Sequence, residues 1–356
     1  MSEIIFLGED ILSYPNVIGY SRRLQQRIKN GVTLDDGKEV IRIYVAKKIP
    51  LILLNGNDML PYSINGIPVD IVEIGYPHIF SDPDPLPNQG KFRPLTPGSS
   101  IGNWGITAGT HGWYSQKNGS SEILPDSNAH VLVDFPDRNE AYEKRIVQPG
   151  KADGGTLTDM IGVYGWHDPI LRPAIPEPPE TPSNCPVTRG IQGFLNGTYR
   201  VFGRESHWKA YTLSGASQPI APVNHHDFAV MIPDNEIEMN FNTVDFDITD
   251  KHKFVGRVFA GNIYVSLMCK AKYQVAAGYQ PYGVEVYDDS DLTFYKTHLI
   301  KSGRTTGLKE KFLWDSDAVV SINYGDFIAR FEDIIICTQP FSAGGDSGSS
   351  VWTIVE

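Results

Sequence analysis

Apolar and polar positions alternate with a period of two over "VIRIYVAKK" (Val40–Lys48) and over "PVDIVEIG" (Pro68–Gly75), the second just after an Asn65-Gly66 turn. Successive side chains on a strand point to opposite faces, so both stretches predict half-buried strands. Residues 1–80 mix helix and strand signals and read as a small α/β module. Residues 81–97 hold five prolines and read as a linker. From residue 98 the pattern changes to short apolar runs punctuated by glycine. "GWYSQKNGSSEIL" (Gly112–Leu124) predicts a hairpin closing at Asn118-Gly119. "GTYRVFG", "DFAVMIP", "NIYVSLMCKA", "VEVY" and "DIIICTQ" all read as strands, and no long 3.6-period stretch interrupts them. "DPILRPAIPEPPETPSNCP" (Asp168–Pro186) is too poor in N–H donors for a central strand and reads as a surface loop. The pattern predicts a mainly β chain, a barrel or sandwich spanning residues 98–356.

Composition narrows the partners more than the fold. The formal charge of −11 disfavours nucleic acid or an anionic membrane as the main partner. Cys185, Cys269 and Cys337 are far apart, without metal-type spacing, and read as reduced core thiols. The start "MSEIIFLGED" is acidic where a signal peptide needs a basic flank, and no run approaches the roughly 18 apolar residues of a membrane span. A cytoplasmic protein is expected.

The candidate chemistry sits in "FSAGGDSGSSVWTIVE", where Ser347 lies between glycines and follows Asp346. A serine hydroxyl is a weak nucleophile at neutral pH. It needs a neighbouring base and a third group that fixes the base's tautomer. Gly345 would let the backbone turn so that its N–H and that of Ser347 face a developing oxyanion. Among nine histidines, His111 in "ITAGTHG" and His130 in "LPDSNAHVLVD" compete for the base. For the orienting carboxylate, Asp227 in "NHHDFAVMIP" leads into an apolar strand, whereas its rival Asp245 enters the acidic "NTVDFDITD". Each of these residues also has an ordinary reading, as a strand-end histidine or a turn-capping aspartate. The order His, Asp, Ser differs from that of subtilisin-like enzymes and α/β-hydrolases, and Ser349 stands where the hydrolase elbow needs glycine.

These stretches resemble the trypsin-like peptidases of the chymotrypsin fold, in the prokaryotic branch with an N-terminal extension. "SNAHVL", "NHHDFAV", "KSGRTTGL" (Lys301–Leu308), "FSAGGDSGSSV" and "QPGKADGG" (Gln148–Gly155) carry the resemblance, in the family's order. Ala129 departs from the usual second asparagine. The resemblance implies two six-stranded barrels with a triad between them. In such a barrel the base follows a hairpin, which favours His130 over His111. His130 would be the general base, Asp227 its orienter and Ser347 the acylated nucleophile, with Gly345 and Ser347 supplying the oxyanion N–H groups. The expected activity is a serine endopeptidase acting on polypeptide, without metal or organic cofactor. A catalytically silent protease-fold subunit of a larger assembly is the alternative, and an esterase with the same triad a third reading.

In zymogen-type relatives the aspartate before the nucleophile pairs with a freed amino terminus. Here a preformed site with Asp346 paired internally is expected. Only one strand fits after Ser347, so the resemblance implies that C-terminal strands are cut short. The remainder would come from elsewhere in the chain, from self-association or another subunit, or from a piece lost by self-processing after Glu356. Phe341, six residues before the nucleophile, is the expected floor of the specificity pocket, which argues against a preference for Lys or Arg. His225-His226 reads as two strand neighbours facing opposite ways rather than a metal site.

Overall fold

The computed structural model describes residues 9–29, 32–33, 39–51, 54, 56–77, 87–173, 222–293 and 296–355. Among these the chain is mainly β, with one sheet closed as a ring and another forming a half-barrel. Its principal strands are β1 (Val17–Ser21), β2 (Glu39–Val45), β3 (Ile67–Glu73), β4 (Tyr114–Lys117), β5 (Ile123–Ser127), β6 (Met160–His167) and β7 (Ala229–Pro233). They continue as β8 (His252–Gly261), β9 (Val265–Lys270), β10 (His298–Lys301), β11 (Lys309–Asn323), β12 (Ile328–Thr338) and β13 (Ser350–Ile354). Two short helices, α1 (Ala129–Leu132) and α2 (Ala271–Ala276), accompany them. No described helix is long and apolar enough to cross a membrane.

The ring runs β8–β9–β12–β11–β10–β13 and returns to β8, antiparallel at every step. This corrects the expectation of missing C-terminal strands. The hairpin β11–β12, which lies between β10 and the Ser347 loop, supplies two staves, and β13 is paired on both sides. The ring therefore closes without a strand from another subunit. The β11–β12 hairpin turns at Tyr324–Phe327, where Gly325 adopts a left-handed φ of 92° and donates its N–H to the Asn323 side chain at 2.7 Å.

The apolar run in β12 is buried on both faces, as its unbroken hydrophobicity requires. Ile335 and Cys337 face a core with Leu299, Val351 and Phe341. Ile334 and Ile336 face a second core with Tyr44, Trp314 and Phe259. One strand thus serves two packed layers.

The first eighty residues differ from the expected α/β module. Their described part holds 3₁₀ turns and strands but no α-helix. β1 pairs with β11 (Gly19 opposite Val320), and β2 and β3 continue the same sheet, paired to each other in parallel. The two strands read from alternation, β2 and β3, pair with each other; β1, which no alternation marked, joins them to the sheet through Ala318–Val320, some 300 residues away.

The eight-stranded sheet is open, in the order Tyr279–Pro281, β4, β5, β7, β6, Arg145–Val147, Ser100–Asn103, Gly109–Thr110. The expected β4–β5 hairpin is present, with Tyr114 opposite Pro125 and Gly119 left-handed. "VEVY" makes only an isolated bridge, Phe254 to Val286. "GTYRVFG", Cys185 and most of the second proline-dense passage lie outside the described residues. Cys269 and Cys337 are buried free thiols.

Candidate active site

α1 is a single helical turn following β5. Ala129, Val131 and Leu132 are buried, packed with Ile101, Ile146 and Met231, which leaves His130 as the one member of the turn that is not. Its Nδ1 lies 2.6 Å from Asp227 Oδ2, and its backbone N–H donates to Asp227 Oδ1 at 3.2 Å. An Nδ1–H that donates to a carboxylate leaves Nε2 as the acceptor. Nε2 is buried and has no partner among the described residues.

Asp227 is fully enclosed, just before β7. Its Oδ2 also accepts the Tyr324 hydroxyl at 2.7 Å, and the Tyr324 ring stands edge-on to His130 at 6.1 Å between centroids. Burial works to raise the Asp227 carboxyl. The His130 imidazole, the Tyr324 hydroxyl and the His130 N–H outweigh it and hold the group below its ordinary value. Burial drives the Tyr324 phenol well above its usual range, so it stays protonated and donates.

Tyr324 escaped the sequence reading because it sits in a hairpin turn with no motif around it, 97 residues from its partner. Removing its hydroxyl takes one donor from a buried carboxylate, at a cost of about 1.5–3 kcal/mol. A carboxyl held below its unfolded pKa stabilises the fold at neutral pH, and that contribution is lost as pH falls through the folded value. With the folded value raised in Tyr324→Phe, the loss begins at higher pH. Urea unfolding at stepped acidic pH is expected to show the variant's acid limb displaced toward neutrality; superimposable limbs would remove Tyr324 from this role.

The rivals go elsewhere. His111 is fully buried, its Nε2 bonded to the Trp113 carbonyl at 3.1 Å and its ring edge-on to Tyr114. Burial lowers its pKa to about 4, so it is a neutral core histidine at physiological pH. Asp245 accepts from Asn88 at 2.9 Å and Ser302 at 2.5 Å. His226 pairs with Asp168 at 2.9 Å, while His225 stacks on Tyr273, so the two neighbouring imidazoles do not share a ligand.

Ser347 lies in the turn that leads into β13. One carbonyl, that of Val258, accepts both the Gly348 N–H (2.9 Å) and the Asn128 side-chain amide (2.8 Å). It ties the residue after Ser347 to the residue two before His130. The Thr110 N–H donates to the Ser347 carbonyl at 2.8 Å. The Ser347 hydroxyl itself is 3.4 Å from the Phe259 carbonyl, at a bulge in β8, rather than on His130.

The loop is tightly held. Gly345 has φ 88° and Gly348 φ 96°, conformations that L side chains rarely adopt. A Cβ on Gly345 would overlap the Arg304 guanidinium, and one on Gly348 the Ser127 hydroxyl and the Thr110 carbonyl. The Asp346 carbonyl accepts the Ser349 N–H (2.9 Å) and hydroxyl (2.6 Å). Because a peptide unit is planar, this fixes the direction of the Ser347 N–H across the same bond. Neither the Gly345 nor the Ser347 N–H has an acceptor among the described residues.

Asp346 is paired internally, as expected. Oδ1 accepts the N–H groups of Thr305 (2.8 Å) and Thr306 (3.1 Å). Oδ2 accepts Lys301 Nζ (3.1 Å), the Thr306 hydroxyl (2.7 Å) and the Ala343 N–H (2.9 Å). The buried Lys301 ammonium thus stands beside Asp346 without any freed amino terminus.

Phe341 differs from its expected place. It is fully buried, packed with Val258, Leu299 and Val351 inside the ring, and so does not present a floor to open space. No protein-family model matches the chain, and no curated protein matches it.

Proposed function

We propose that the chain is a serine-type hydrolase, an endopeptidase of chymotrypsin-like design in which the ring and the half-barrel are the two lobes. The observation that carries this reading is the His130–Asp227 pair: a buried carboxylate, ordered by a second donor, holds an imidazole whose other nitrogen is free to accept a proton. The unpaired Gly345 and Ser347 N–H groups and the internally neutralised Asp346 support the same reading.

For acylation, the Ser347 hydroxyl leaves the Phe259 carbonyl and gives its proton to His130 Nε2 as its oxygen attacks a substrate carbonyl carbon. Negative charge then develops on the former carbonyl oxygen, where backbone N–H donors are most effective. Collapse of the tetrahedral species breaks the C–N bond, and imidazolium returns the proton to the leaving amine. Water repeats the sequence to free the acid. Asp227 stays ionised and steadies the imidazolium.

A silent protease-fold scaffold is the second reading, favoured by the contact of Ser347 with the Phe259 carbonyl instead of with His130. A fluorophosphonate separates the two. It is expected to add one phosphonyl group to wild-type protein, mapped to Ser347 by peptide mass, and none to Ser347→Ala. Wild-type protein that stays unlabelled after prolonged exposure would leave the scaffold reading standing.

A further inference from the structure

The loop that carries Gly345 and Ser347 is braced by a charged pair spanning the two sheets. Arg304 follows β10 of the ring, and its side chain is 1% exposed. Asp153 ends the 3₁₀ turn Lys151–Asp153, which precedes β6 of the open sheet, and its side chain is 4% exposed. They meet as a two-pronged pair, Nε to Oδ2 and Nη2 to Oδ1, each at 2.5 Å. The Ser100 hydroxyl adds a third contact to Asp153 and accepts the Gly150 N–H, fixing the turn to the sheet.

From this pair two routes lead to the loop. The guanidinium fills the space where a side chain on residue 345 would stand. The Arg304 N–H donates to the Thr110 hydroxyl at 3.0 Å, and that hydroxyl donates to the Gly345 carbonyl at 2.8 Å. Thr110 also holds the Ser347 carbonyl through its own N–H. A glycine at φ 88° is intrinsically loose, so its direction depends on such neighbours. A bidentate arginine–carboxylate pair is well suited to the task, because its planar fork fixes orientation as well as distance.

We infer that Asp153 and Arg304 are positioning residues, acting through Thr110 and Gly345 to hold the oxyanion donors in register with Ser347. The inference rests on the hydrolase reading above. It gives a function to "QPGKADGG" and "KSGRTTGL", two stretches that the His–Asp–Ser set leaves unused. Acting only through other groups, the pair affects the rate of bond formation more than the capture of substrate.

The test measures fluorophosphonate labelling rates and peptide hydrolysis for wild type, Asp153→Asn, Arg304→Lys and the double variant. A displacement of about 1 Å at a reacting centre slows reaction on the order of 100-fold. Each single variant is therefore expected to label Ser347 about 10–100-fold more slowly, with kcat reduced to match and KM changed little. The double variant is expected to be no slower than the worse single one, since one unit is broken twice. Folded single variants that label at the wild-type rate would overturn the inference while leaving the hydrolase reading intact. Wild-type protein that never labels would remove both. Should neither charged-pair variant fold, Thr110→Val decides: it conserves volume but cuts the hydroxyl link, and an unchanged labelling rate would overturn the inference.

Discussion

On the proposed mechanism, turnover is expected to fall by about 10⁶ when His130 is replaced by alanine, as much as when Ser347 itself is removed, because the two would act as one unit. Asp227→Asn falls by about 10⁴, since an asparagine no longer selects the tautomer that leaves Nε2 as the acceptor. The expected ranking follows from the geometry: in the proposed mechanism Asp227 acts only through the imidazole it holds at 2.6 Å, whereas His130 would carry the proton. His111→Ala and Asp245→Asn are the matched controls. His111 is bonded to the Trp113 carbonyl in the core, and Asp245 to Asn88 and Ser302. Both controls are expected to keep a labelled Ser347 when folded. Steady-state hydrolysis and phosphonate labelling across the five variants make the comparison. Labelling that survived His130→Ala and vanished in His111→Ala would transfer the base to His111.

Local signals in the sequence mark what each segment is, and distant contacts decide which side chains meet. The hairpin before His130 was legible because Asn118-Gly119 is a turn pair flanked by alternating strands. Asp227 was legible because a carboxylate at the entry of an apolar strand must be buried and must therefore find a partner. That partner proved to be His130. Tyr324 and Thr110 carry no such mark, and the motifs "QPGKADGG" and "KSGRTTGL" that contain Asp153 and Arg304 gave no sign that the two pair. Each lies in an ordinary turn or strand, and its contribution depends on a contact across sheets. Phe341 shows the opposite failure. Its spacing from Ser347 suggested a pocket floor, but its side chain joins Val258, Leu299 and Val351 in the ring's core. The ring closure was hidden for a topological reason: the strands sought after Ser347 are supplied by the β11–β12 hairpin before it.

Unequal losses of stability are expected from the two halves of the Lys301–Asp346 pair, and the inequality tests whether the buried ammonium is what holds the loop. Breaking a buried ion pair by removing one partner costs about 3–5 kcal/mol, because the other charge stays behind without compensation. Lys301→Met leaves Asp346 with three N–H donors and the Thr306 hydroxyl, so its loss belongs at the lower end. Asp346→Asn leaves the fully buried Lys301 amine beside a neutral amide and the Thr306 hydroxyl, with no carboxylate in contact among the described residues, and belongs at the upper end. Burial already lowers the Lys301 pKa even with Asp346 opposing it, and loss of the carboxylate lowers it further. A lysine whose folded pKa lies below its unfolded one binds fewer protons when folded. Stability then rises with pH throughout the interval between the two values. Asp346→Asn is therefore expected to gain stability on moving from neutral to mildly alkaline buffer more steeply than wild type, and Lys301→Met less steeply. Urea unfolding at stepped pH measures both slopes. A Lys301→Met protein within about 1 kcal/mol of wild type, with an unchanged slope, would mean that the three N–H donors alone neutralise Asp346. The loop would then be held by its backbone turn rather than by the buried ammonium.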